Sequence, residues 1–136
     1  MKETINLIKI IISGIGAWIG YFIGDLDGLI IALLLFVVID YLTGLMVAMA
    51  DRKLSSRIGF KGIFRKVIIF MLVAIAHVID REIIKTGDAL RTAIIFFYLS
   101  NEGISILENS VHLGLQVPKK LKDVLLQLNE DRKEKK

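Results

Sequence analysis

The residues best equipped for chemistry in this 136-residue chain crowd into one apolar stretch, FYLSNEGISILENSVHLG, Phe97 to Gly114. Asn101, Ser105, Glu108 and His112 are spaced four, three and four apart, which at 3.6 residues per turn makes one stripe on a helix. Glu102 and Asn109 widen it, and Ile95, Leu99, Ile106 and Leu113 are expected on the opposite face. The chemistry of such a set is hydrogen bonding and charge solvation. A carboxylate in hydrocarbon costs roughly 3 kcal/mol on insertion scales, so this face has to meet other protein, water or both. Two readings stand side by side: interhelical hydrogen bonds that fix a bundle, and the lining of an aqueous lesion in an oligomer.

Asp40 is the one charge within GLIIALLLFVVIDYLTGLMVAMA, Gly28 to Ala50. It is expected to be protonated, paired with a basic group or facing water. A helix-packing contact outweighs ion binding there, because no second intramembrane cation ligand is evident. Gly16, Gly20 and Gly24 recur every four residues, and Gly44 follows Asp40 by about one turn. Small residues let membrane helices approach closely, so these four are candidates for helix packing, within a hairpin or between subunits.

Catalysis finds little support. There is no cysteine, and His77 and His112, the two histidines, do not form an i, i+4 metal pair. No phosphate loop or G-x-S-x-G motif occurs, and no extramembrane domain is large enough for a substrate pocket. The expectation is a non-enzymatic protein without cofactor or metal.

The elements that must carry these residues are apolar helices, since each satisfies its own backbone in lipid and no segment alternates with the period of a barrel strand. Four segments stand out: Ile5 to Gly24, Leu29 to Ala50, Val67 to Ile79 and Thr92 to Leu113. The first lacks an A-x-A-like cleavage site and is read as a span. GDLDG, Gly24 to Gly28, is a tight polar turn that predicts an antiparallel hairpin of the first two segments. The third segment is the weak one. Its uncharged part would span only about 20 Å, so a crossing needs Arg65, Lys66, Arg81 and Glu82 at the headgroups. The alternative is a re-entrant or interfacial helix. Pro118 closes the fourth segment. The fold class expected is therefore all-α, an oligomeric integral membrane bundle of four transmembrane helices over residues 1–118. A basic cytoplasmic tail follows over residues 119–136.

Charge sets the orientation. Fifteen of the 18 lysines and arginines fall in the N-terminus, the link between the second and third segments, and the tail. Four crossings put all fifteen on one side and leave Arg81, Lys85 and Arg91 on the other. The positive-inside rule then places both termini in the cytoplasm. Lys61, Arg65 and Lys66 in the link, and Lys119, Lys120 and Lys122 in the tail, are expected at anionic headgroups, and no nucleic-acid partner is implied. In the tail, Leu121, Val124, Leu125 and Leu128 share one face, which predicts a short helix lying on the inner leaflet. The final NEDRKEKK reads as disordered charge.

In order along the chain, IDYLTGLMVA, KLSSRIGFKGIFRK, AHVIDR and FFYLSNEGISILENSVHLGLQVPKKLKDVL resemble the toxin-secretion/phage-lysis holin family. The resemblance runs from about Ile39 to Leu126 and is most specific at Asp40 to Gly44, Asn101 to Gly103 and Glu108-Asn109. It implies a holin that gathers as a homo-oligomer in the bacterial host's cytoplasmic membrane. There it opens lesions for an endolysin, its functional partner without necessary direct contact, or for a toxin. A small selective ion channel or transporter-like protein, and an antiholin that binds the pore former, are the other classes the sequence leaves open.

Overall fold

The computed structural model describes residues 1–130, with the backbone alone at 129 and 130. The expectations for Arg132 to Lys136, including disorder of the final charge run, lie outside the described residues. The described residues form five α-helices: α1 (Lys2–Ile23), α2 (Gly28–Ala50), α3 (Ser56–Val78), α4 (Ala89–His112) and α5 (Lys119–Glu130). A π-helical extension, Ile79–Ile84, continues α3. No strand occurs among the described residues.

The ends follow local chemistry. α1 stops at Gly24, whose φ of 90° and ψ of −167° belong to glycine alone. Asp27 caps α2 by accepting the Ile30 N–H at 3.0 Å, and Ser55 caps α3 through the Ile58 N–H at 3.3 Å. The N–H groups that open α4 are met from the preceding π-helical turn. The Asp80 carboxylate accepts Leu90 N–H at 3.1 Å and Arg91 N–H at 2.7 Å.

Among the described residues, three helical stretches are long and apolar enough to cross a membrane: α1, α2, and α3 with its extension, Ser56–Ile84. The third segment is thus far longer than its uncharged part suggested. Its 29 residues reach about 40 Å. Lys66 does not have to sit at a headgroup, because it turns inward between two carboxylates. The count of four is not reached by composition: α4 is the long helix that does not qualify, with Arg91, Glu102 and Glu108 in its sequence.

α4 is nevertheless the central helix. It packs most extensively on α2 and also on α3 and α5. Ile30, Leu33 and Val37 of α2, Ile69 and Val73 of α3, and Ile95 of α4 form the apolar core. The most polar of the four long helices therefore packs against more of the bundle than the others, where its charges would cost least in a membrane. α1 packs along α3, meets α4 at its last residue, where Ile23 O accepts from Arg91, and buries no side chain fully. The expected α1–α2 hairpin does not close, because the link between them is drawn over the end of α4.

α5 folds back on α4, where Leu125 is buried against Gly103.

Candidate functional site

The core stripe of α2 is Ile30, Leu33, Val37 and then Asp40. That spacing carries the carboxylate onto the face already buried by its apolar predecessors. The corresponding stripe of α4 runs Arg91, Ile95, Glu102. Lys66 of α3 reaches between them, and its ammonium donates to Asp40 Oδ2 and to Glu102 Oε2. Asp40 is the thirteenth of 23 residues in α2 and Glu102 the fourteenth of 24 in α4, so the cluster sits half-way along both helices.

Further hydrogen bonds complete the network. Asn109 Nδ2 donates to Asp40 Oδ1 at 3.2 Å and to Thr43 Oγ1 at 3.0 Å. The Thr43 hydroxyl lies 2.9 Å from Ile39 O and 3.1 Å from Asp40 O, and can donate to either. Ser100, fully buried beside this layer, donates to Phe97 O at 2.9 Å. Ionised, the cluster holds two negative charges against one positive. A cavity of about 610 Å³ opens onto it, and Arg65, Asn101 and Ser105 also line that cavity.

The proposed polar stripe of α4 is therefore divided. Glu102 and Asn109 bond to other helices, Asn101 and Ser105 edge the cavity, and Glu108 and His112 are exposed. His112 lies 3.0 Å from the Asp51 carboxylate at the end of α2. Ile95 does not oppose the polar set. It shares the buried face with Glu102 and Asn109, seven residues apart each time. That heptad run is the signal that separates the enclosed groups from Glu108.

Two further groups belong to this cluster or its rim. Lys66 is an internal ion-pair residue, unlike Lys61, Arg65, Lys119, Lys120 and Lys122, which are exposed. Tyr41 donates to Gly59 O at 3.2 Å, and its ring lies 3.0 Å from where a Cβ at Gly62 would stand, so α3 approaches α2 through a glycine not picked out beforehand.

A second ionic cluster closes the far end. Arg91, 3% exposed, donates from Nε to Ile23 O at 2.8 Å, from Nη1 to Asp27 Oδ2 at 2.9 Å and from Nη2 to Asp25 O at 2.8 Å. The Ile30 N–H above all holds the Asp27 carboxyl below its ordinary pKa, against the opposing effect of burial and with the Arg91 guanidinium adding to the lowering. Gly24 serves this cluster and not a helix–helix ridge: a Cβ there would come within 2.9 Å of Arg91 Nε and His77 Nδ1. Gly16 and Gly20 have open space where a Cβ would stand, and Gly44 lies 3.9 Å from Asn109 Nδ2 by the same measure. No group of three or more His, Asp or Glu side chains is placed to hold a metal ion among the described residues.

A family model described as "Bacteriophage holin family" matches residues 17–130. An uncharacterized protein of Listeria innocua is 50% identical over 120 residues, covering 88% of this chain and 85% of that one. An uncharacterized 14.9 kDa protein of Clostridium perfringens is 41% identical over 129 residues, covering 95% of this chain and 98% of its own. A protein named "Probable holin" of Bacillus phage phi105 is 34% identical over 115 residues, covering 85% and 84%. No solved structure matches the chain.

Proposed function

The chain belongs to the bacteriophage holin family, and from that premise we propose that it gathers in the cytoplasmic membrane of a bacterial host and opens lesions through which an endolysin reaches the wall. One observation carries the reading beyond family membership: a charged cluster with an excess carboxylate lies mid-way along a bundle whose other long helices are apolar. Such a cluster is tolerable in lipid only while enclosed, and it becomes favourable when water replaces the enclosing helices. A holin needs both conditions in turn, harmless first and permeable later. Lys66, Asn109 and Thr43 provide the enclosed arrangement of Asp40 and Glu102. Self-assembly into an aqueous lesion provides the other, in which Asn101, Glu102, Ser105 and Asn109 join Glu108 and His112 at water.

The topology that goes with this function has four crossings, α4 being the fourth by virtue of its central place, and both termini cytoplasmic. Lys61, Arg65, Lys119, Lys120 and Lys122 then meet anionic lipid. No enzymatic step is required of the chain. An antiholin is a possible regulatory partner by family analogy, and toxin release is an alternative cargo route.

The test is induction of this chain alone in a bacterial host without endolysin. A holin stops respiration and kills abruptly, and added endolysin then lyses the culture. A selective channel shifts ion gradients without releasing protein, and an antiholin does neither. Continued respiration at confirmed membrane accumulation overturns the proposal.

A further inference from the structure

The cavity of about 610 Å³ beside the ion cluster is lined by hydrogen-bonding groups that the protein leaves unused. Both oxygens of Asp40 are engaged, one by Lys66 and one by Asn109. Glu102 is engaged on one side. Its Oε2 accepts from Lys66, and among the described residues no N–H reaches its Oε1. Yet Glu102 is only 7% exposed, and it lines the cavity. Asn101 and Ser105 line the same space, are half-buried, and make no side-chain hydrogen bond among the described residues. Residues three and four apart meet on a helix, so Glu102 Oε1, the Asn101 carbonyl and the Ser105 hydroxyl present three open acceptors within little more than one turn of α4.

Charge points the same way. Asp40, Lys66 and Glu102 form a row that runs negative, positive, negative, and Glu102 is its open end. Arg65 also lines the cavity, but it is exposed and forms no ion pair with either carboxylate among the described residues. Leu45, Ile69, Tyr41 and Tyr98 supply an apolar and aromatic wall. A metal ion has no use for such a wall, and no group of three or more His, Asp or Glu side chains among the described residues is placed to hold one. The volume is that of a small-molecule pocket.

We propose that this cavity binds a primary ammonium compound with an apolar or aromatic body, its ammonium donating to Glu102, Asn101 and Ser105. A primary ammonium has three donors and no acceptor, which matches the three open acceptors. It also completes the row of alternating charge, and its carbon body covers the tyrosines and aliphatic side chains. An anion would face two carboxylates, and an alcohol has one donor for three acceptors. The bound ligand supplies the positive charge that the enclosed arrangement lacks, and so favours it over opening. That consequence rests on the holin reading; the binding itself is a property of the purified chain.

The experiment is calorimetric titration and thermal unfolding of the full chain in detergent, with phenethylammonium as the probe. Saturable binding and an unfolding temperature that rises with probe concentration are expected. Phenethyl alcohol and hydrocinnamate, of similar size, should bind about tenfold more weakly or worse. So should phenethyltrimethylammonium, which keeps the charge and has no N–H to donate. Glu102→Gln should weaken the probe by about tenfold. Ser105→Ala and Asn101→Ala, which leave every bond of the ion cluster in place, should each weaken it several-fold, and they carry the test where Glu102→Gln does not accumulate as folded protein. Equal binding of the ammonium, the alcohol and the trimethylammonium is partition into the micelle and overturns the site. Unchanged affinity in the Asn101→Ala/Ser105→Ala double variant overturns it too. If the probe binds as expected but induced wild-type cells keep respiring, the holin reading falls and the site stands. If wild type kills and the purified chain does not select the ammonium, the site alone falls.

Discussion

Arg91 and Glu102 lie on the same buried stripe of α4, eleven residues or about 16 Å apart, with Ile95 and the apolar core between them. Each anchors an ionic cluster, and the two clusters are built on different principles. At Arg91 the planar guanidinium spends its donors on two backbone carbonyls and one carboxylate, so shape dominates. At Lys66 one ammonium stands between two carboxylates beside a cavity, so charge balance dominates. The first ties the α1–α2 link to α4 and fixes one end of the bundle. The second holds together three helices by a balance that water or a proton can upset. The bundle is thus tied at one end by shape and held at its middle by charge balance.

The largest expected effect comes from Lys66→Met, which leaves Asp40 and Glu102 facing each other without a cation. Breaking a buried pair in this way costs about 3–5 kcal/mol. Thermal unfolding in detergent and steady-state membrane accumulation should both fall sharply. Adding Asp40→Asn and Glu102→Gln should recover most of the loss, since amides can hydrogen-bond without charge. No recovery would mean that Lys66 acts through shape, and the contrast between the clusters would collapse.

Next in size is Arg91→Lys, which keeps the charge and discards the fork. One ammonium cannot reach Ile23 O, Asp25 O and Asp27 together, and we expect a loss of about 2 kcal/mol from unmet hydrogen bonds. Lys66→Arg, by contrast, should keep most of its stability. Equal losses in the two exchanges, measured by the same unfolding assay, would erase the distinction between shape and charge.

The sequence carried the helices and their stops legibly, and the placement of charge much less so. GDLDG announced a turn, and Asp27 does cap α2. Asn109 and Glu102 were marked as costly groups, and both are bonded to other helices. Lys66 is hard to separate from Arg65 in the sequence, because a basic pair beside an apolar run looks like a headgroup anchor. Adjacent helix positions point about 100° apart, so Arg65 and Lys66 need not share a fate. In the sequence, Arg91 bears only on orientation. Its burial depends on contacts 64 to 68 residues away in sequence, which no local pattern encodes. The same holds for α1 on α3 and α5 on α4: amphipathicity says that a helix has an apolar face, and tertiary geometry decides what covers it.

A smaller effect is expected at Gly24→Ala. The φ of 90° strains any side chain, and the new Cβ would press on Arg91 Nε and His77 Nδ1. The cost should be about 1–2 kcal/mol. Gly16→Ala and Gly20→Ala, with open space around them, should leave monomer stability unchanged. Oligomer crosslinking on the same variants tests whether those two glycines meet another subunit. If Gly24→Ala is as silent as Gly20→Ala in the unfolding assay, the end cluster is looser than its hydrogen bonds indicate.

The smallest effect should come from Asp27→Asn. Asparagine caps a helix about as well as aspartate, so the bond from the Ile30 N–H survives and only the charge pairing with Arg91 is lost. The Asp27 side chain is 42% exposed, which keeps that pairing near the value of a surface ion pair, below about 1 kcal/mol. The sign of its pH dependence follows from the lowered pKa. Because folding holds the carboxyl below its ordinary value, the folded state favours the ionised form. The contribution is complete above the unfolded value of about 3.9 and is lost as pH falls from there through the lowered folded value. Other carboxylates titrate in the same range, so the informative quantity is the difference in unfolding temperature between wild type and Asp27→Asn from pH 7 down to pH 3. That difference should be small and in favour of wild type at pH 7, and it should shrink on acidification. A difference that stays constant across the range would assign Asp27 to capping alone and leave Arg91 held by the two backbone carbonyls.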